Sequence, residues 1–171
     1  GDTEADLEYV LGGVVKDGSY KFTENTTINV NGKDARGMDF ADGTVVDASG
    51  KTLNINVTDG TKLNAGISQN TKVDSHVKAD KIVIKLDSKD ASGTTHAIHQ
   101  DKGNLTIDGD VDIDITGQRH TVGVYSHAGS TTINGNVKVV LDGNHGGFAE
   151  YGAAGIYAHA GYGGAVGGKR P

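Results

Sequence analysis

Alternating aliphatic triplets recur through this chain at a nearly constant interval. They are Thr26, Ile28 and Val30; Leu53, Ile55 and Val57; Ile82, Ile84 and Leu86; Val111, Ile113 and Ile115; Val137, Val139 and Leu141. Their last members are separated by 27, 29, 29 and 26 residues. Apolar residues at a period of two mark a strand with one buried face. Self-similarity at a fixed spacing of this size marks a solenoid, whose units bury that face only by stacking on their neighbours. A β-sandwich also alternates, but it does not need its strands in phase.

The stretch from Asn104 to Gly129 is one complete unit. Leu105 and Ile107, then Val111, Ile113 and Ile115, then Val122 and Val124 alternate with Thr106, Asp112, Asp114, Gly123 and Tyr125. Gly109 and Gly117 punctuate these runs where the backbone must turn. Ile107, Val111, Ile113, Ile115 and Gly117 return 26 positions later as Ile133, Val137, Val139, Leu141 and Gly143. The pattern predicts an all-β, right-handed parallel β-helix of about five coils, with three short strands per coil. At ~4.8 Å per coil the rod is roughly 24 Å long. Ile28, Ile55, Ile84, Ile113 and Val139 are expected to stack as one interior column.

Residues 1–17 fall outside the repeat and are expected to cap the first coil, as a helix or as a strand bearing Leu7, Tyr9 and Leu11. Residues 18–164 form the helix, and 165–171 are expected to be a glycine-rich tail or linker. Only 5% of residues are aromatic, so the core is a thin aliphatic column. Proline, which removes a ladder donor, occurs once against 27 glycines, as closely spaced turns require. The absence of cysteine excludes disulfides, thiol catalysis and thiolate metal sites. A formal charge of −6 with no basic stripe argues against nucleic acid or an anionic membrane surface as partner. No stretch approaches the ~20 apolar residues of a membrane span, and the chain is expected to be soluble with any export signal outside it.

Three groups of residues invite a chemical reading. The run Asp108, Asp110, Asp112 and Asp114 suggests a calcium ladder. The register instead places Asp112 between Val83 and Lys138, and Asp114 between Lys85 and Val140, which favours exposed cross-strand ion pairs. In the third strand, Tyr125 and His127 are repeated by Tyr157 and His159, and His99 precedes Tyr125 by one coil. With Val124, Ser126 and Ala128 pointing in, these residues point out and form a stripe on which a sugar ring could lie. A ladder of like residues that merely stabilises the coil is the competing reading. The third group lies between Gly143 and Gly155, twice as far apart as Gly117 and Gly123. The six added residues make a loop that carries His145, Phe148, Glu150 and Tyr151, and solenoid insertions gather on binding sides.

Other chemistry is less well supplied. Zinc needs at least three convergent ligands, and His127, His159 and Asp101 would form a surface site with no supporting shell, so no metal or cofactor is expected. Polysaccharide lyases and hydrolases need an acid cluster with a cation, or paired acids. The three arginines, Arg36, Arg119 and Arg170, share no column with a lysine and two acids, so no catalytic residue is assigned and the chain is not read as an enzyme.

The units NLTIDGDVDIDITG…VGVYSHAG and TTINGNVKVVLDG…AAGIYAHAG resemble the β-helical passenger regions of Gram-negative type V (monomeric) autotransporters. The resemblance covers roughly residues 18–164 and is strongest in the last two units. Two-partner-secreted haemagglutinins look similar. The resemblance implies a segment displayed on the bacterial cell surface, tethered to the outer membrane through a C-terminal barrel that these residues do not include. It implies adhesion: binding of a surface glycan or protein, or self-association between rods. The candidate ligand-binding residues are Tyr125, His127, Tyr157, His159, His99, Phe148 and Tyr151. A polysaccharide lyase or hydrolase and an inert stalk are the alternatives.

Overall fold

The structure is a computed structural model that describes residues 3–8, 18–40, 43–61, 63–88, 94–117, 121–143, 154–158 and 165–168. No helix occurs among them. The strands are β1 (Thr3–Glu8), β2 (Gly18–Lys21), β3 (Thr26–Lys33), β4 (Arg36–Phe40), β5 (Thr44–Thr61), β6 (Leu63–Asn70) and β7 (Ser75–Ser88). They continue as β8 (Thr94–Lys102), β9 (Asn104–Gly117), β10 (Thr121–Ser126), β11 (Ser130–Asn134), β12 (Val137–Gly143), β13 (Ala154–Ala158) and β14 (Ala165–Gly168).

Every pairing is parallel and joins a strand to its counterpart one coil away, which is a parallel β-helix. Sheet one runs β1-β3-β5-β7-β9-β11-β14, with β2 on β5 and β12 on β9. Sheet two runs β13-β10-β8-β6-β4. Its five strands are separated by four steps, so the solenoid makes about four turns where the repeat count gave five.

The expected interior column is present. Ile28, Ile55, Ile84, Ile113 and Val139 are in register, and the four isoleucines are at most 2% exposed. Met38, Ile67, Ile98 and Val124 make the facing column from sheet two, all fully buried. The backbone of β1 lies on β3 with Ala5 opposite Ile28, and that of β14 lies on β11.

All three strand segments of each coil are found, but the first two often run on as one strand around a corner. In β5 and β7 the register shifts there, between Ala48 and Thr52 and between Lys78 and Lys81. A corner disrupts the ladder, and side chains of a neighbouring coil supply the missing acceptors. Asp80 Oδ1 accepts the Gly50 N–H at 3.0 Å, Asp110 Oδ1 the Asn136 N–H at 2.9 Å, and Asn25 Oδ1 the Thr52 N–H at 3.0 Å.

Three of the four aspartates of the acidic run have structural roles of this kind. Asp110 caps a corner, and Asp112 pairs with Lys81 at 2.9 Å while stacked between Val83 and Lys138. Asp108 meets His76 Nε2 at 2.5 Å and Asn134 Nδ2 at 2.8 Å. The hydrogen bond from Asn134, and then that from His76, hold the Asp108 carboxyl below the usual carboxylate range.

Gly109 carries a double requirement at this corner, of conformation and of space. Its φ is +148°, and a Cβ there would lie 2.1 Å from the Ala79 carbonyl oxygen. Gly32 has φ +109° but open space around it. Gly109→Ala is therefore expected to cost more than about 2 kcal/mol, and Gly32→Ala about 1 kcal/mol. Chemical unfolding of the two variants measures the difference, and equal costs would mean that the corner yields.

Candidate functional site

The Tyr/His stripe lies on sheet two, and its geometry comes from a bend in the strands. Residues three apart in a flat strand point to opposite faces. In sheet two, however, Arg36 Nη1 meets Asp39 Oδ2 at 3.2 Å, and His96 Nδ1 meets His99 Nδ1 at 2.8 Å. The chain turns at the two residues between, Gly37 and Met38 or Ala97 and Ile98, and both face inward. A Cβ on Gly37 would lie 2.3 Å from Ile55 Cγ2, and one on Gly66 would lie 2.5 Å from Ile84 Cγ2. Glycine therefore admits the sheet-one isoleucines, and the outward neighbours on either side converge into a shallow trough.

Two outward rows line this trough. One is Arg36, Ala65, His96 and Val122; the other contains Ser68, His99 and Tyr125 in register, with Asp39 at its start. Ser68 is 1% exposed and His96 is 4% exposed, whereas His99 and Tyr125 are half-buried. The stripe is thus sunk into the surface.

The His96 and His99 ring centroids are 5.1 Å apart with their planes 20° from parallel. With the Nδ1 atoms at 2.8 Å, the two imidazoles lie nearly edge to edge and share one proton between them. Tyr125, from the next coil, covers both, with centroids at 4.6 Å from His96 and 5.0 Å from His99 and planes within 18° and 3°. The His127 ring follows at 6.3 Å and 11° from Tyr125, and its Nδ1 is 3.1 Å from Asp101 Oδ1. Parallel ring contacts of this kind contribute about 0.5–1.5 kcal/mol each beyond area burial.

Below the stripe, buried glutamines fix the strand ends. Gln100 is fully buried, and its Nε2 donates to the carbonyls of Gly103 and Ala128, both at 2.8 Å. Its Oε1 accepts from the Ser126 hydroxyl and from the His127 N–H. Gln69 lies one coil earlier in the same column and donates to Val73 O at 2.8 Å. Gln100 is thus a positioning residue for His127. The sequence signal was a glutamine at the same repeat position in GISQN and HAIHQ.

Of the expected site residues, the structure brings together His99, Tyr125 and His127, and it adds His96, Arg36 and Asp39. Val124 and Ser126 are buried, as the alternation required. Tyr157 is in register with Tyr125 by backbone position. His159, Phe148 and Tyr151 lie outside the described residues, as do His145 and Glu150. The zinc arrangement finds Asp101 engaged by His127 and its third member, His159, outside the described residues.

Comparison with protein-family models, with curated proteins and with solved structures finds no match for this chain. The residues themselves carry the functional argument.

Burial pushes His99 down to about 4, only partly opposed by the charge of Asp101. A histidine whose folded value is depressed keeps its contribution above the unfolded value of about 6.5 and loses it as pH falls toward the folded value. Unfolding free energy is therefore expected to drop between pH 6.5 and 4, by up to about 3 kcal/mol. His99→Gln should flatten that part of the profile, and an unchanged slope would move the proton uptake elsewhere. Gln100→Leu, which removes the amide donor from two part-buried carbonyls and the acceptor from the buried Ser126 hydroxyl, is expected to cost about 2 kcal/mol or more. The same variant should broaden the His127 imidazole resonances in nuclear magnetic resonance spectra.

Proposed function

We propose that this chain is a segment of a rod displayed on the bacterial cell surface, acting in adhesion through the trough of sheet two. The observation that supports the reading most is the ring series His99, Tyr125 and His127. His99 and Tyr125 stack at coil spacing, His127 follows Tyr125 along its strand, and the Arg36–Asp39 ion pair lies two coils before His99 in the same trough. The rings stack on one another, so they present edges and ring nitrogens to the trough, and these with the flanking ion pair suit the hydroxyls of a sugar. A glycan or a sugar-like protein surface is the ligand class that this chemistry fits.

The β-helical passenger resemblance supports display on the outer membrane in a longer chain. A uniform stack of coils suits such a role, since each coil contacts only its neighbours and length is added without a new core. The enzyme reading has less support: among the described residues the trough holds no pair of acids facing one another across a cleft, and Arg36 is already bound to Asp39.

The test is retention of the purified protein on immobilised glycans and matrix proteins, comparing wild type with Tyr125→Ala/Tyr157→Ala and with residues 144–153 shortened. Saturable binding lost in both variants is the expected result. Release of new reducing ends from a polysaccharide would favour the lyase or hydrolase, and no retention on any surface would leave an inert stalk.

A further inference from the structure

The outer face of sheet one carries a different pattern. Lys21, Asp47, Lys78 and Asp108 occupy one row across four successive coils, in register through the β2–β5, β5–β7 and β7–β9 pairings. Lys21 and Lys78 are exposed, and Asp108 retains 41% of its side-chain exposure. Hydrogen bonds from Ser49, ahead of the charges of Lys21 and Lys78, hold the Asp47 carboxyl below the ordinary range. Along the rod the signs alternate plus, minus, plus, minus.

Four alternating charges have a symmetry property: read backwards, every sign is inverted. A second rod laid face to face and antiparallel, on a two-fold axis between the coils of Asp47 and Lys78, sets Lys21 against Asp108 and Asp47 against Lys78. Each opposition occurs twice, because a two-fold interface repeats its contacts. A parallel arrangement in the same register sets each charge against its own kind. The neighbouring row on the same face tolerates the antiparallel arrangement: Val45, 45% exposed, meets His76, and Ser19 meets Thr106.

We propose that this face pairs two copies of the chain, antiparallel and in that register. The proposal rests on the self-association form of the adhesion reading, to which it gives a face, a direction and a partner. The trough lies on sheet two and the ladder on sheet one, so ligand binding and self-pairing use separate surfaces. Solvent-exposed ion pairs are individually weak and screened by salt. The contact is therefore a low-affinity one that gains from many rods held side by side.

Central-charge swaps test it, read by sedimentation equilibrium of the purified chain at low salt. Asp47→Lys alone, or Lys78→Glu alone, sets two like-charge pairs at the middle of the interface. Each is expected to weaken dimerisation at least about tenfold. The double variant Asp47→Lys/Lys78→Glu reads plus, plus, minus, minus, which is again complementary to its own reverse, and it should regain dimerisation. An equimolar mixture of the two single variants should also dimerise. High salt should dissociate every species. Direction is read by cross-linking, which the absence of native cysteine makes clean: Lys21→Cys mixed with Asp108→Cys should form a disulfide, and Lys21→Cys alone should not.

Circular dichroism and unfolding of each variant confirm that the rod is intact. A wild type that stays monomeric at the highest low-salt concentration would overturn the proposal. So would a double variant no better than the singles, or a self-linking Lys21→Cys. Tyr125→Ala should leave dimerisation unchanged, so failure of the trough reading and failure of the ladder are distinguishable.

Discussion

Everything in this structure depends on one constraint: each strand satisfies its backbone through the same strand one coil along. Successive coils are then locked at a single spacing, and residues at equivalent repeat positions are forced into contact. An isoleucine at one position must therefore meet an aliphatic residue at the same position in the next coil. The Ile28, Ile55, Ile84, Ile113, Val139 column is the result. A one-residue slip would carry the whole set to the solvent face.

Corners are where that constraint conflicts with itself, and the chain resolves them in two ways. Within sheet one, aspartate and asparagine side chains reach between coils to accept the N–H groups that the bent ladder leaves over. In sheet two the corner is made by inward-facing small residues, Gly37, Gly66 and Ala97, against the isoleucines of the opposite wall. The first solution places carboxylates at exposed corners as acceptors for backbone N–H groups. The second brings outward side chains three positions apart into contact, and thereby makes the trough.

The two outer faces consequently differ in chemistry. Sheet one presents charges of alternating sign held in an extended row. Sheet two presents a half-buried series of rings in which Tyr125 covers a proton-sharing imidazole pair. A rod with two unlike faces can engage a ligand on one and a second rod on the other without competition. That division is the physical content of the adhesion reading proposed for this chain.

The repeat in the sequence determined the fold class, the interior column and the register, because the side-chain period of a strand and the coil period of a solenoid are both written in residue spacing. It also determined that Asp112 lies between Val83 and Lys138, and that Tyr125 stacks on His99. Only the tertiary structure decided that His96 joins them. By simple alternation His96 and His99 fall on opposite faces, and the bend at Ala97 between them is a property of what packs behind it. The same holds for the bonds of Gln100: the repeat shows a glutamine recurring from Gln69, but only the closed coil sets its amide against the Gly103 and Ala128 carbonyls. Periodicity records which residues are equivalent from coil to coil, but how sharply a coil turns is set by the volumes of the side chains that meet across its interior.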